Sequence, residues 1–221
     1  MLTVISDENR TADETVSVVE ECCRAAADRA GELRVQLRHR GLCARDLLAL
    51  ADRLRRTTAD HGVALIVNDR IDVALACEAD GVHLPASGLA PRDARRIVGD
   101  AKWIGRSVHS AAEIRELSDE PLDYLHFGPV FFTSSKAAYG SPQGCIALSE
   151  AVHCAGNRPV IAVGGIDATR IGELHSADIG TQSPPFAGVA VIGAIFSAAD
   201  PAAATAELLS AVERIRPQRQ S

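Results

Sequence analysis

Short runs rich in Val, Ile and Leu alternate along the chain with longer stretches whose apolar residues recur every three or four positions. The first pattern is that of a buried strand and the second that of an amphipathic helix. Strands are expected at Thr3–Asp7, Leu33–Arg40, Ala64–Asp69, Gly81–Leu84, Trp103–His109, Tyr124–Val130, Pro159–Gly165 and Gly188–Ile195. Helical periodicity marks Asp13–Ala30, a segment holding Leu47, Leu48, Leu50 and Leu54, then Ile71–Cys77, a short stretch from Ala111, Leu148–Ala155, Ala168–His175 and Ala202–Ile215. No Pro- or Ser-rich linker interrupts the alternation.

Regular strand–helix alternation implies an α/β fold with parallel strands, because a parallel crossover needs a helix to return the chain. An open, doubly wound sheet that binds a dinucleotide carries a GxGxxG turn after its first strand. Here that place reads Asp7-Glu8-Asn9-Arg10. The pattern therefore predicts a closed (β/α)8 TIM barrel, a single domain over residues 1–221 whose first strand pairs with its last. The segment Ala177–Ala187, with Pro184 and Pro185, is long for a helix-to-strand loop. It is expected on the bottom face, where trimming it would alter stability more than turnover.

In such a barrel the chemistry collects at the C-terminal ends of the strands. Those ends carry Asp7; Gln36, Arg38 and Arg40; Asn68 and Asp69; His83; Ser107 and His109; Thr133, Ser135 and Lys136; and Gly164 with Gly165. Gln36, Arg38 and Arg40 alternate along one strand, so their side chains should share its inward face. Two buried guanidinium groups need anionic partners. An internal carboxylate such as Asp69 is one; with Lys136 beside them, a phosphate or pyrophosphate is the better match to their forked donors.

Gly164-Gly165 after the seventh strand and Gly193 after the eighth stand where barrels hold phosphate on glycine-exposed backbone N–H groups. An isolated Gly-Gly pair would mark only a tight turn. Ser107 and His109 alternate on the fifth strand, which places His109 inward near the mouth. Its polar company suits an acid–base catalyst better than a packed core histidine. His83 fits a structural hydrogen-bonding role as well as a functional one.

Composition narrows the partners. The 221 residues are 47% hydrophobic and 24% charged, with a net charge of −6 and both signs interspersed. That excludes a basic stripe for nucleic acid, and no apolar run is long enough to span a membrane. With no leader-like N-terminus, a cytoplasmic location is expected. The expected partners are small molecules, with a homo-oligomer left open. Cys22, Cys23, Cys43, Cys77, Cys145 and Cys154 show neither CxxC spacing nor a zinc-like cluster, so buried or half-buried thiols are expected.

Seven strings at the strand ends stand together: Val35-Gln-Leu-Arg-His-Arg40, Leu65-Ile-Val-Asn-Asp-Arg70, Ala79-Asp-Gly-Val-His83, Ile104-Gly-Arg-Ser-Val-His-Ser110, Phe127-Gly-Pro-Val-Phe-Phe-Thr-Ser-Ser-Lys136, Pro159-Val-Ile-Ala-Val-Gly-Gly165 and Gly188-Val-Ala-Val-Ile192. In this order they resemble the family of thiamine phosphate synthase and the TenI-type thiazole tautomerase, over nearly the whole chain. Two chemistries follow from the resemblance. The synthase joins a hydroxymethylpyrimidine pyrophosphate to a thiazole phosphate, expelling pyrophosphate with magnesium. The tautomerase moves a proton within a carboxythiazole phosphate, with no cofactor.

By that resemblance Gln36, Arg38, Asn68, Asp69, Ser107, Thr133, Ser135 and Lys136 match synthase positions, and Arg40 stands where that branch has lysine. The synthase also carries a Gly-Gln-Asp/Glu-Asp string after its fourth strand, whose last acid holds magnesium together with the Asp69 equivalent. This chain reads Leu84-Pro-Ala-Ser-Gly88 there, with no acid before Asp93. The difference places the tautomerase first, the synthase second and a non-catalytic ligand-binding regulator third. In the tautomerase reading His109 moves the proton with Ser107 and Lys136 in the catalytic set. Gly164, Gly165 and Gly193 hold the phosphate, and Arg38, Arg40 or Lys136 receives the carboxylate. In the synthase reading Asp69 holds Mg2+.

Overall fold

The computed structural model describes residues 1–133, 141–176 and 187–215. Strands β1 Leu2–Ile5, β2 Leu33–Leu37, β3 Ala64–Asn68, β4 Gly81–Leu84, β5 Trp103–Val108, β6 Tyr124–Phe127, β7 Val160–Val163 and β8 Gly188–Val191 are hydrogen-bonded neighbours in sequence order. The sheet closes where Leu2, Thr3 and Val4 of β1 lie parallel to Val189, Ala190 and Val191 of β8. The result is the expected (β/α)8 TIM barrel.

Helices return the chain between the strands: α1 Ala12–Ala25, α2 Ala44–Asp60, α3 Ile71–Ala76, α4 Pro91–Val98, α5 Ala111–Glu116, α6 Gly144–Ala155, α7 Ala168–Ser176, the single turn α8 Gly193–Phe196, and α9 Pro201–Arg214. Their starts are chemically marked. Thr11 and Glu14 form a reciprocal capping box on α1. Asp200 accepts from the Ala203 N–H of α9, with Pro201 in the first turn.

Alternation along each strand divides its residues between two environments. Outward residues such as Val4, Val35, Leu65, Val82, Ile104, Leu125, Ala162 and Val189 join Leu47, Leu54, Leu148 and Leu208 of the helices in one core. Each large apolar side chain buried there stabilises the fold by about 1.5–3 kcal/mol. Inward residues Ile5, Tyr124, Ile161, Val163 and Ala190 make a second, smaller cluster. Among the inward residues are also the buried polar side chains Thr3, Arg34, Gln36, His83 and His126. Barrel interiors are usually filled by branched apolar residues; this lumen is largely polar and aromatic.

Several expected boundaries move. The strand predicted to reach Arg40 ends at Leu37, and the one predicted to reach Ile195 ends at Val191, with Gly193–Phe196 turning into α8. Both shifts occur beyond the point where a neighbouring strand still pairs with the chain. Helical periodicity expected to run to Ala30 gives way after Ala25 to a 3-10 segment, Ala27–Glu32, and α4 was not singled out by its short apolar pattern. The cysteines are unpaired thiols, and Cys43 departs from the expectation by being exposed, while Cys22, Cys23 and Cys77 are buried. The segment 177–186, expected on the bottom face, lies outside the described residues.

The polar lumen depends on a small residue at one inward position. A Cβ on Gly105 of β5 would lie 2.1 Å from Cζ of Tyr124. Gly105→Ala should therefore displace that ring and destabilise the protein by about 1–3 kcal/mol. Chemical denaturation of the two proteins measures this; an unchanged midpoint would mean that the ring moves aside without cost.

Candidate active site

The C-terminal ends of β7 and β8 open into a cavity of about 250 Å³ lined by Thr133, Gly164, Gly165, Asp167, Arg170, Ile192 and Gly193, among others. Gly164 and Gly165 take φ values of 103° and 64°, a left-handed path that other residues adopt only with strain. A Cβ on Gly165 would also stand 2.4 Å from the Phe132 carbonyl oxygen. Arg170 donates to the Gly165 carbonyl and its guanidinium lies 5.2 Å from the centre of the Phe131 ring. These contacts hold a positive charge on the cavity wall. Asp167 caps the following helix by accepting from Arg170 N at 2.9 Å. The predicted phosphate residues Gly164, Gly165 and Gly193 are thus brought together, with Thr133 beside them and with Arg170, which the strand-end reading did not include.

A smaller cavity of about 70 Å³ continues into the lumen between Gln36, Arg38, Asn68, His83, Ser107 and His126. Val163 and Ile192 line both cavities, so the two are contiguous. Gln36 Nε2 donates to Asn68 Oδ1 at 3.2 Å, whereas Gln36 Oε1 is buried with no hydrogen-bond partner. Leaving such an acceptor unmet costs about 1–3 kcal/mol, which a ligand N–H would recover. His83 supports this wall: Nε2 lies 2.9 Å from Ser107 Oγ and Nδ1 lies 3.3 Å from the Tyr124 hydroxyl.

The arginines behave differently from the expectation. Because β2 ends at Leu37, alternation stops before Arg40, whose side chain is 59% exposed on the rim. Arg40 Nη2 donates to Glu8 Oε1 at 2.8 Å, and Arg38 Nη1 lies 3.7 Å from Glu8 Oε2. The anionic partner within the protein is therefore Glu8, just past β1, and not Asp69. The Arg40 hydrogen bond is the main reason that the Glu8 carboxyl is held at about 2, well below its ordinary 4.5. Asp69 is exposed at the end of β3 with φ 65°. Asp69, Arg40 and Asn68 line a third cavity of about 280 Å³, and Asn68 also lines the lumen.

His109 sits one residue past β5 and is half-buried. Its Nδ1 lies 2.6 Å from the Gly128 carbonyl oxygen, and its backbone N–H donates to Glu113 at 2.9 Å. A carbonyl only accepts, so Nδ1 carries a proton and Nε2 is the remaining base. His109 keeps the inward phase of Ser107 but lines neither of the two contiguous cavities. Ser135 and Lys136 lie outside the described residues. Among the described residues no three His, Cys, Asp or Glu side chains converge as a metal site. The loop after β4 is held instead by Arg106, which donates to the carbonyls of Ala86 at 2.6 Å and Leu89 at 2.8 Å.

A closed barrel with a glycine-walled cavity at β7 and β8, beside a polar lumen, defines the enzyme class whose sites sit at the C-terminal strand ends of a barrel. The chain belongs to the thiamine monophosphate synthase family, whose profile matches residues 2–195. It is 38% identical to a putative thiamine-phosphate synthase of Geobacter sulfurreducens, covering 90% of this chain and 88% of that protein. It is also 38% identical to a thiamine-phosphate synthase of Moorella thermoacetica, covering 84% and 85% of the two chains. The solved thiamine phosphate pyrophosphorylase of Pyrococcus furiosus superposes with a TM-score of 0.82 at 31% identity, over 98% of this chain and 96% of that one. A 3-hexulose-6-phosphate synthase from Salmonella typhimurium shares the fold at a TM-score of 0.74 and 15% identity, covering 98% of this chain and all of that one (100%). This is therefore an enzyme family of thiamine biosynthesis, and no described helix is long and apolar enough to cross a membrane.

The Glu8 cluster leads to a pH prediction. The folded-state value of Glu8 is depressed, so its stabilising contribution is complete above the ordinary 4.5 and is lost as pH falls toward about 2. Glu8→Gln should flatten the pH dependence of unfolding stability across that window and leave the slope above it unchanged. Denaturation series at several pH values test this; parallel curves for the two proteins would remove Glu8 from the acid response.

Proposed function

We propose that this protein is a thiamine phosphate synthase, joining a hydroxymethylpyrimidine pyrophosphate to a thiazole phosphate and releasing pyrophosphate. This reverses the order reached from the loop after β4, where the missing acid placed the tautomerase first. The names of relatives over most of the chain support the synthase. The observation that carries the reading is a site with two polar regions: the glycine cavity at β7 and β8, and a separate Gln36–Asn68 pair with an unmet buried acceptor. A tautomerase has one phosphorylated ring to hold. A synthase has two substrates.

In this reading the backbone at Gly164, Gly165 and Gly193, with Thr133, holds the thiazole phosphate. Gln36 Oε1 accepts from the N–H of an amino substituent on the pyrimidine, and Asn68 orients Gln36. Arg38, Ser107, Ser135 and Lys136 bind the pyrophosphate, and Arg40 draws anions toward the rim. The thiazole nitrogen forms a C–N bond to the pyrimidine methylene carbon while the C–O bond to pyrophosphate breaks, with that electron pair leaving on pyrophosphate. The residues' task is therefore charge stabilisation and alignment more than proton transfer. The whole chain works as one barrel domain.

Magnesium is bound by one or two carboxylates together with substrate phosphate oxygens and water. Exposed Asp69 at the rim, beside Asn68, meets the minimum of that requirement. When bound there, the ion would supply further charge neutralisation to the leaving pyrophosphate. The loop Leu84–Leu89 adds no carboxylate, and the cation that touches it, Arg106 of β5, is committed to its backbone carbonyls.

Supplying both substrate sets separately discriminates the branches. The expected result is coupling that a chelator abolishes, with Asp69→Ala lowering the rate by about 10²–10³-fold and His109→Ala by less. Aromatisation of a carboxythiazole phosphate that survives chelation and falls about 10²–10⁴-fold in His109→Ala would reinstate the tautomerase.

A further inference from the structure

The floor of the lumen holds a cation that the phosphate chemistry does not use. Arg34 is 7% exposed, and its guanidinium carbon lies 4.5 Å from the ring centres of both Trp103 and Tyr124. A cation held over the ring draws electron density from the phenol and makes its O–H the stronger donor. Burial pushes the phenol up to about 12, so it keeps its proton throughout the neutral range. That proton has a partner 3.3 Å away in His83 Nδ1.

The direction set at the floor propagates upward. If His83 Nδ1 accepts from Tyr124, the neutral ring carries its proton on Nε2. Nε2 lies 2.9 Å from Ser107 Oγ, which is then the acceptor. One lone pair of Ser107 is thereby occupied, and its own O–H is turned away from His83. Ser107 lines the lumen cavity with Arg38 and also the neighbouring cavity with Arg106 and Glu113. The His126 ring, 4.1 Å from that of His83, packs against this chain and keeps it inside the barrel.

We propose that Tyr124 and His83 are positioning residues that, with Arg34 setting the polarity, present the Ser107 hydroxyl as a hydrogen-bond donor to an anionic oxygen of the substrate. The identity of that oxygen, on pyrophosphate, rests on the synthase reading; the direction of the chain does not. Reversal of any link would make Ser107 compete for the same side of His83 and expose a lone pair to the anion, which repels it. The barrel floor is thus coupled to the mouth by two hydrogen bonds, Tyr124–His83 and His83–Ser107.

Two measurements test this. Nitrogen-15 spectra of histidine-labelled protein without substrate report the proton position on His83, assigned by its loss in His83→Gln. The expected wild-type ring is protonated on Nε2 and bare on Nδ1, and Tyr124→Phe, which keeps the ring and removes the hydroxyl, shifts protons onto Nδ1. A wild-type His83 protonated on Nδ1 would overturn the proposal without any variant, as would an unchanged tautomer in folded Tyr124→Phe. The second measurement is a cycle on the coupling rate. Tyr124→Phe should lower kcat roughly tenfold, Ser107→Ala should lower it further, and the double variant should be no slower than Ser107→Ala alone. Multiplicative losses would assign Tyr124 a structural role and sink the positioning claim. If no coupling occurs with any protein, the synthase reading fails while the His83 spectra still decide the chain.

Discussion

Closing eight strands into a barrel forces eight inward faces into one small lumen that water largely leaves. Most polar groups placed there need a partner inside, because the fold can absorb the cost of only a few unmet ones such as Gln36 Oε1. This chain places Arg34, Gln36, His83, Tyr124 and His126 in that space. Each is tied to a neighbour: Arg34 to two aromatic rings, Tyr124 to His83, His83 to Ser107, and Gln36 to Asn68. The packing of the lumen and the layout of the site are the same set of contacts.

The strands serve two roles because their faces alternate. Outward residues such as Val35 and Leu65 supply the apolar burial that holds helices to the barrel, and they can do so without constraining the mouth. Inward residues at the same strands are released to carry chemistry. Parallel pairing then aligns all C-terminal ends at one face, which brings Gln36, Asn68, Ser107, Val163 and Ile192 around one cavity although they span five strands or strand ends. The glycine cavity at β7 and β8 adjoins it because those strands close the ring beside β1.

Charge around the mouth is held in place by the protein's own groups. Glu8 is shared by Arg38 and Arg40, so the two cations outnumber that one carboxylate, with Asp69 close by at the end of β3. Arg170 adds a cation at the glycine cavity and is fixed by the Gly165 carbonyl and the Phe131 face. Arg106 departs from the magnesium-loop pattern of the synthase branch in a physical way. Its guanidinium organises the Ala86–Leu89 backbone, a segment without a carboxylate, so in the synthase reading Asp69 is the carboxylate left to hold magnesium.

Periodicity determined the eight strands and their parallel pairing, because burial on both strand faces writes itself as short Val/Ile runs, and the Gly164-Gly165 pair marked a turn of left-handed backbone after the seventh. The inward phase of Gln36 and Ser107 was legible for the same reason, as side chains alternate with a period of two. The partner of Arg38 and Arg40 was not. Glu8 follows a different strand, and only closure of β1 against β2 brings it within 2.8 Å of Arg40. Arg34 shares the alternation of Gln36 and Arg38, yet nothing local announces that Trp103 and Tyr124 will enclose it. The hydrogen bond between His83 and Ser107 likewise joins β4 to β5 across 24 residues of sequence. Such contacts are set by strand register and lumen volume, which are properties of the closed barrel and of no single segment of the chain.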